Sequence, residues 1–482
     1  MEIIDLTPSL VWKHFAALCG IPHPSGHEAG IREYIRRFAV DRGLDYREDP
    51  VGNVILIKPA TPGRESVPSV ILQAHMDMVP QKNAATEFDF LRDPIRPRID
   101  GEWVKATCTT LGADNGIGLS AALAVMEDPD LRHGPLKAIF TVEEETGLSG
   151  ALNLSRESLS GKILFNLDSE EEGLAFIGCA GGERADFLFN CDPEPVPVDN
   201  VSLRMALTGL RGGHSGMEIN TGRGNAVIIL AQVLREAMTT FPLRLASLNG
   251  GSLDNAIPRE AFADLVIPPE EEMEFAAFVN WIKRQYAAKL GDSDPGMQLI
   301  LTRKPDLVEV MDPATQKAIV NAVATCRNGV VKMCESIPEL VETSSNLGLI
   351  ETRNGIVKIT CLLRSSNDLE REKLLTEMSA FFTAAGADME RRNAYPGWQP
   401  NPDSPALKHL QQVYHDLFQG TLHAKAVHAG LECGIFKGIC PELDMISFGP
   451  EIRSPHSPDE RVHIGSVARF YQLLGAALGR LG

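Results

Sequence analysis

Several short stretches set acids and imidazoles at the ends of apolar runs. In VILQAHMDMVP a β-branched run ends and presents His75 and Asp77, which point the same way because strand side chains repeat every two residues. In TLGADNGIGLSAAL, Asp114 stands ahead of an apolar helix, a position that equally suits an N-terminal cap. FTVEEETGLSG puts Glu143, Glu144 and Glu145 side by side after another apolar run. Like charges so crowded are costly unless cations or solvent offset them. LFNLDSEEEG places Asp168 at the end of a further run, and SFGPEIRSPHSPDERVHI carries His456 in a Pro-flanked loop. Taken singly, each has a structural alternative: a satisfied pair, a cap, a solvated loop. Taken together, they put carboxylate and imidazole where strands run out, and that combination is a natural ligand set for zinc. His75, Asp114, one of Glu143, Glu144 and Glu145, Asp168 and His456 exceed what one tetrahedral ion can use, so more than one metal is implied. A second cation would also let so many acids tolerate one another.

The elements that must position these residues are legible as runs and periods. Apolar residues recur at helical spacing from Ser9 to Phe38, interrupted by the turn-forming IPHPSGHE. NVILIK (53–58), SVILQA (69–74), LKAIFTV (136–142) and GKILFNL (161–167) have the composition of strands buried on both faces, and GIGLSAALAVME (116–127) reads as a buried helix. Strands alternating with helices predict an α/β fold with a largely parallel sheet flanked by helices, and open sheets of that kind bind ligands at their strand C-termini. The texture changes after Gly181, where the Pro-rich DFLFNCDPEPVPVDNVSLRMAL leads into the Gly-rich RGGHSGMEINTGRGN. The expected organisation is a discontinuous metal-binding domain, residues 1–185 and 396–482, with an inserted α+β domain over 186–395. Helices are expected near 226–238 and 271–289, and NAYPGWQPNPDSP is read as the linker back.

Composition narrows the function classes. The 482 residues carry 46 Lys and Arg against 64 Asp and Glu, a formal charge of -18 that works against nucleic acid and anionic membranes and favours a cation as partner. With 44% apolar residues there is ample material for buried cores. Nine scattered cysteines without a CxxC pair suit a reducing compartment. The N-terminus has no basic start followed by an apolar stretch, and no run approaches the roughly 18 to 20 apolar residues needed to span a bilayer. A cytoplasmic protein is expected.

These motifs resemble the co-catalytic zinc metallopeptidases, the group that includes aminoacylases, carnosinases, bacterial dipeptidases and glutamate carboxypeptidases. HMDMV, GADNG, EEETG, LDSE and HSPDE occur in that order, with RGGHSG and DNAIP in the inserted part. IPHPSGHE, LQAHMDMVPQKN, TLGADNGIG and HAGLECGIF are most similar to the bacterial cytosolic aminoacyl-histidine dipeptidases. The resemblance implies a zinc-peptidase domain with a lid inserted in it and two divalent ions per chain, zinc by family, though manganese or cobalt also suits oxygen and nitrogen ligands. It implies Asp114 as the bridge, His75 and Asp168 completing one site, Glu145 and His456 the other, Glu144 as general base and Asp77 orienting His75. Spacing alone does not divide the labour among Glu143, Glu144 and Glu145. In the inserted part the resemblance implies His214 at the oxyanion, Asn255 touching substrate and Arg364 clamping a free carboxylate, with backbone donors near Gly430. For Glu432, contact with a substrate imidazole and a structural role both stand. The implied substrates are dipeptides, Xaa-His in particular, with N-acyl amino acids or longer peptides as the alternative within enzymes and a non-catalytic metal-binding regulator as the alternative outside them. A homodimer is expected.

Overall fold

Val70–His75 is buried along its whole length, as a β-branched strand covered on both faces must be. In this computed structural model, which describes residues 2–482, it lies inside an eight-stranded sheet. The order is Asp45–Glu48, Val54–Lys58, Leu136–Thr141, Val70–His75, Ile163–Asn166, Asp444–Ser447, Leu174–Cys179, His423–Val427. Leu136–Thr141, Val70–His75, Ile163–Asn166 and Asp444–Ser447 run parallel to one another. The first three pair in register, His75 opposite Thr141 and Gln73 opposite Asn166, so their following residues emerge together at one sheet edge. Towards the edges, Asp45–Glu48 pairs antiparallel with Val54–Lys58, Val54–Lys58 with Leu136–Thr141, and Asp444–Ser447 with Leu174–Cys179. At the N-terminal edge the reason is local: Asp49 Oδ1 accepts from the backbone N–H of Val51, Gly52 and Asn53, closing a tight turn that only an antiparallel pair can use.

The helix Ala113–Glu127 is apolar all round and buried from Gly116 through Met126, as a helix enclosed on every side must be. Asp114 itself lies outside helical geometry (φ -85°, ψ 109°). The first helix, Ser9–Cys19, buries Val11, Trp12, Phe15 and Leu18, and Ala29–Arg42 follows the IPHPSGHE turn.

The chain forms two compact units, one of residues 1–178, 398–426 and 431–482, the other of residues 179–397 and 427–430. The second is built on a nine-stranded sheet that includes, in spatial sequence, Val341–Arg353, Ile356–Ser365, Gly181–Asn190 and Asp388–Tyr395, all antiparallel. Helices Ala226–Ala237, Pro313–Thr325 and Asp368–Ala384 contribute to its core, where Phe187 stacks on Phe382 with centroids 4.0 Å apart. The segment read as a linker from Asn393 is strand as far as Tyr395. Its charged, mostly exposed DMERRNAY carries none of the apolar alternation that signals a strand, because it pairs on one side only. Among the described residues no helix is long and apolar enough to cross a membrane.

Asn53, 0% exposed, ties the start of one strand to the end of another: Nδ2 donates to Asp49 Oδ2 (2.7 Å) and Gly150 O (2.8 Å), and Oδ1 accepts from Val142 N (3.1 Å). Asn53→Ala leaves the buried Val142 N–H unpaired and removes one of the two hydrogen bonds that Gly150 O accepts. The expected loss is about 2–4 kcal/mol, read as a lower midpoint in chemical denaturation; an unchanged midpoint refutes this account of the Val142–Gly150 turn.

Candidate metal centre

His75 ends its strand 1% exposed. Its Nδ1 lies 2.9 Å from Asp77 O and 3.3 Å from Asp77 Oδ1, which fixes the ring and leaves Nε2 facing Asp114 Oδ1 at 3.2 Å and Asp168 Oδ1 at 3.4 Å. The other oxygen of Asp114 lies 3.2 Å from His456 Nε2, which is 3.0 Å from Glu145 Oε1. Asp114 thus stands between two imidazoles, one oxygen towards each. Three overlapping groups have ligand atoms within 4.8 Å of one another: His75, Asp114 and Asp168; His75, Glu144 and Glu145; Asp114, Glu145 and His456.

These residues fit metal ions. Two ligand atoms each about 2.0–2.2 Å from a tetrahedral zinc are about 3.3–3.6 Å apart, close to the 3.0–3.4 Å separations between the imidazole and carboxylate atoms here. Glu145 Oε1 is buried and, among the described residues, meets only His456 Nε2, which leaves room on it for a cation. The acids repeat the message. Burial, reinforced by Asp114, pushes the Asp168 carboxyl up to about 6, and burial with Asp114 and Asp168 nearby pushes Glu170 up to about 9. Glu144 is driven well above the carboxylate range, first by burial and then by Asp168, Glu432 and Glu145. Asp114 goes the other way: burial is outweighed by hydrogen bonds from His456 and His75. His456 is pushed up to about 11 by Asp114 and Glu145, and for His75 the carboxylates of Asp168, Asp114 and Asp77 overcome burial and raise it. Without metal, the centre collects protons.

Other residues lock the ligand-bearing segments, and of these the sequence reading passed over Glu460, Ser25, Glu28 and Asn115. The buried Glu460 carboxylate accepts four backbone N–H groups, from Leu111 (2.7 Å), Gly112 (3.0 Å), Ala113 (2.8 Å) and Asp114 (3.2 Å). It stands four residues after His456, within HSPDE, so one short loop supplies an imidazole and anchors Asp114. Asp77 accepts from Ser25 Oγ (2.7 Å), Glu144 N (3.0 Å) and Glu145 N (3.2 Å). Glu28 Oε1 takes Gly26 N (2.8 Å) and Glu143 N (3.2 Å), and the Asn115 side chain donates to Leu167 O (3.0 Å) and to Asp168. Ser25 and Glu28 both lie in IPHPSGHE, a turn by composition and one of the motifs of the resemblance, which gives neither residue a role of its own. Glu432, 1% exposed, accepts from Gln73 Nε2 (2.5 Å) and Thr141 Oγ1 (3.0 Å), and burial pushes it up to about 8.

In the second unit, His214 Nδ1 accepts from Gly216 N (3.2 Å) and Met217 N (3.1 Å), leaving Nε2–H as the outward donor, and burial and Arg364 lower its pKa. Asn255 is exposed, its carbonyl holding Ser215 N at 2.8 Å. Arg364 is 5% exposed, donates from Nη1 to Tyr395 Oη (3.2 Å) and leaves Nε without a partner. Gly430 lies against the ring of the same Tyr395.

Residues 71–480 match the sequence profile of Peptidase family M20/M25/M40. The chain is 43% identical over 475 residues to the cytosol non-specific dipeptidase of Escherichia coli (strain K12), covering 98% of each. It is also similar to the solved structure of an aminoacylhistidine dipeptidase from Vibrio alginolyticus, with TM-score 0.93 and 42% identity over 100% of this chain and 98% of that one. An aminopeptidase PepT structure from Bacillus cereus, at 16% identity and TM-score 0.58 over 98% of each chain, shares the fold. On the extent of the profile match and of the identity, the chain belongs to peptidase family M20/M25/M40.

Proposed function

We propose that this chain is a cytoplasmic, zinc-dependent dipeptidase acting on Xaa-His and related dipeptides. The observation that carries the reading is Asp114 set between His75 and His456, with Asp168 and Glu145 completing two ligand groups beside Glu144. His75, Asp114 and Asp168 would hold one ion, and Asp114, Glu145 and His456 the other. When bound, such ions supply Lewis-acid activation of water and of the scissile carbonyl. Glu144, not needed in either triad, takes a proton from the attacking water and returns it to the leaving amine. Asp77 holds the His75 ring and, through the N–H groups of Glu144 and Glu145, the turn that carries the base.

The second unit is the substrate-binding one in this reading. His214, locked as the Nε2–H tautomer, donates to the developing oxyanion as a neutral group. Asn255 touches substrate. Arg364 takes the free carboxylate together with backbone near Gly430. Its support is electrostatic: no carboxylate lies within ion-pair distance of this buried guanidinium among the described residues, and a buried charge without a partner calls for one. The names of the two nearly full-length relatives support the dipeptide assignment and the compartment. A homodimer is part of the proposal, and gel filtration with light scattering checks it.

Glu144→Gln is expected to lower turnover about a hundredfold to ten-thousandfold with metal content unchanged; full turnover in the loaded variant removes Glu144 from the mechanism. A chelator should abolish hydrolysis and zinc should restore it. Loading must also release protons. His75 and His456 have raised pKa values, so at pH 7 the metal-free protein holds protons there that ligation expels. Calorimetry in buffers of different ionisation enthalpy should show at least about one proton released per chain, and none released contradicts ligation by these imidazoles. A panel of dipeptides against N-acetyl amino acids separates the dipeptidase from an aminoacylase, which would cleave only the latter.

A further inference from the structure

Arg364 belongs to a row of residues directly opposite one another across neighbouring strands. Ser344 pairs with Arg364, Arg364 with Gly182, and Gly182 with Tyr395. Between Arg364 and Tyr395 the row has no side chain, and that gap lets the guanidinium reach across the strand to the phenol at 3.2 Å. A Cβ on Gly182 would fall 2.5 Å from Tyr395 Oη and 2.6 Å from Cζ, so the glycine is what allows the phenol to lie where it does. From the opposite side Gly430 approaches the same ring, a Cβ there meeting Tyr395 Cε2 at 3.1 Å and Oη at 3.2 Å. The phenol oxygen is therefore common to the two residues assigned to the substrate carboxylate.

Its hydrogen-bonding state follows from its neighbour. A guanidinium only donates, so Tyr395 Oη accepts from Nη1 and keeps its own proton to give. No other side-chain hydrogen bond of that hydroxyl occurs among the described residues, and Tyr395 is only partly buried. The neighbouring imidazoles do not add charge. His428 Nε2 lies 2.7 Å from Ser344 Oγ, and burial with Arg364 nearby pushes His428 down to about 3; His214 is lowered for the same reasons. One fixed positive charge with a neutral hydroxyl donor beside it fits a single carboxylate, and donation from the cation makes the phenol a stronger donor.

We propose that the Tyr395 hydroxyl completes the carboxylate site of Arg364, accepting from its Nη1 and donating to the free carboxylate of the dipeptide. The inference rests on the dipeptidase reading above, and the test keeps the two apart. Steady-state constants are measured for alanyl-histidine and alanyl-histidinamide with the metal-loaded wild type and with Tyr395→Phe, which removes one oxygen. The wild type should favour the free acid. The variant should show a KM for the free acid raised tenfold or more with kcat within about twofold, and unchanged constants for the amide. A wild-type preference for the acid that survives Tyr395→Phe, or an equal rise in KM for the amide, overturns the role of Tyr395. A wild type that treats acid and amide alike overturns the carboxylate reading itself, and this inference with it.

Discussion

Too much negative charge at one place is the constraint from which the first unit is built. Asp114, Glu144, Glu145 and Asp168 lie around one imidazole at the ends of parallel strands, where little water offsets them. Such a cluster is stable only if something positive enters it. The protein's own cations are the two histidines, and their raised proton affinity measures how strongly the acids pull. Divalent ions answer the same demand more completely, since each places two charges among ligands already spaced about 3 Å apart. The three central strands bring the acids together by ending in register, so the parallel sheet and the charge problem have one origin.

Repulsion of this size would open the loops unless they were held elsewhere. Backbone amides do the holding, and carboxylates outside the ligand set receive them. Glu460 takes four N–H groups from the turn ending at Asp114, and Asp77 and Glu28 take those of Glu143, Glu144 and Glu145. His456 has φ 57°, a conformation that costs a β-carbon residue of order 1 kcal/mol, and the loop keeps it while Glu460 is pinned four residues on. The anchoring acids are thus as necessary to the geometry as the ligands are.

How much of this could be read from the sequence depends on the range of the interaction that reveals it. The strands at Val70–His75, Leu136–Thr141 and Ile163–Asn166 announce themselves as short β-branched runs, and the Ala113–Glu127 helix as an apolar stretch, because burial on all sides leaves a local signature. Glu460 has none: in the sequence it is one more acid in a Pro-flanked loop, and its partners lie more than 340 residues earlier. Division of labour within Glu143–Glu145 is hidden for another reason. Adjacent residues in a turn can face any direction, and only the coordinates show Glu143 at φ 51° bonded to Ser149 while Glu145 Oε1 meets His456. Tyr395 escaped because an edge strand rich in charge looks like a linker.

The second unit carries the opposite imbalance, and the comparison shows why both persist. There a buried guanidinium lacks an acid, although the same sheet pairs Arg391 with Glu183 and Arg392 with Asp186. Acids were available and were placed elsewhere. A missing counter-charge in a unit where buried Glu183, Asp186 and Arg371 all have one is therefore a feature of position, and it costs stability that the surrounding core must offset. The core can do so because its apolar cluster closes without the Arg364 side chain, while the backbone of Arg364 keeps its place in the strand ladder. An unfilled charge of one sign in each unit, held in place by structure that does not depend on filling it, is what leaves both available to a ligand.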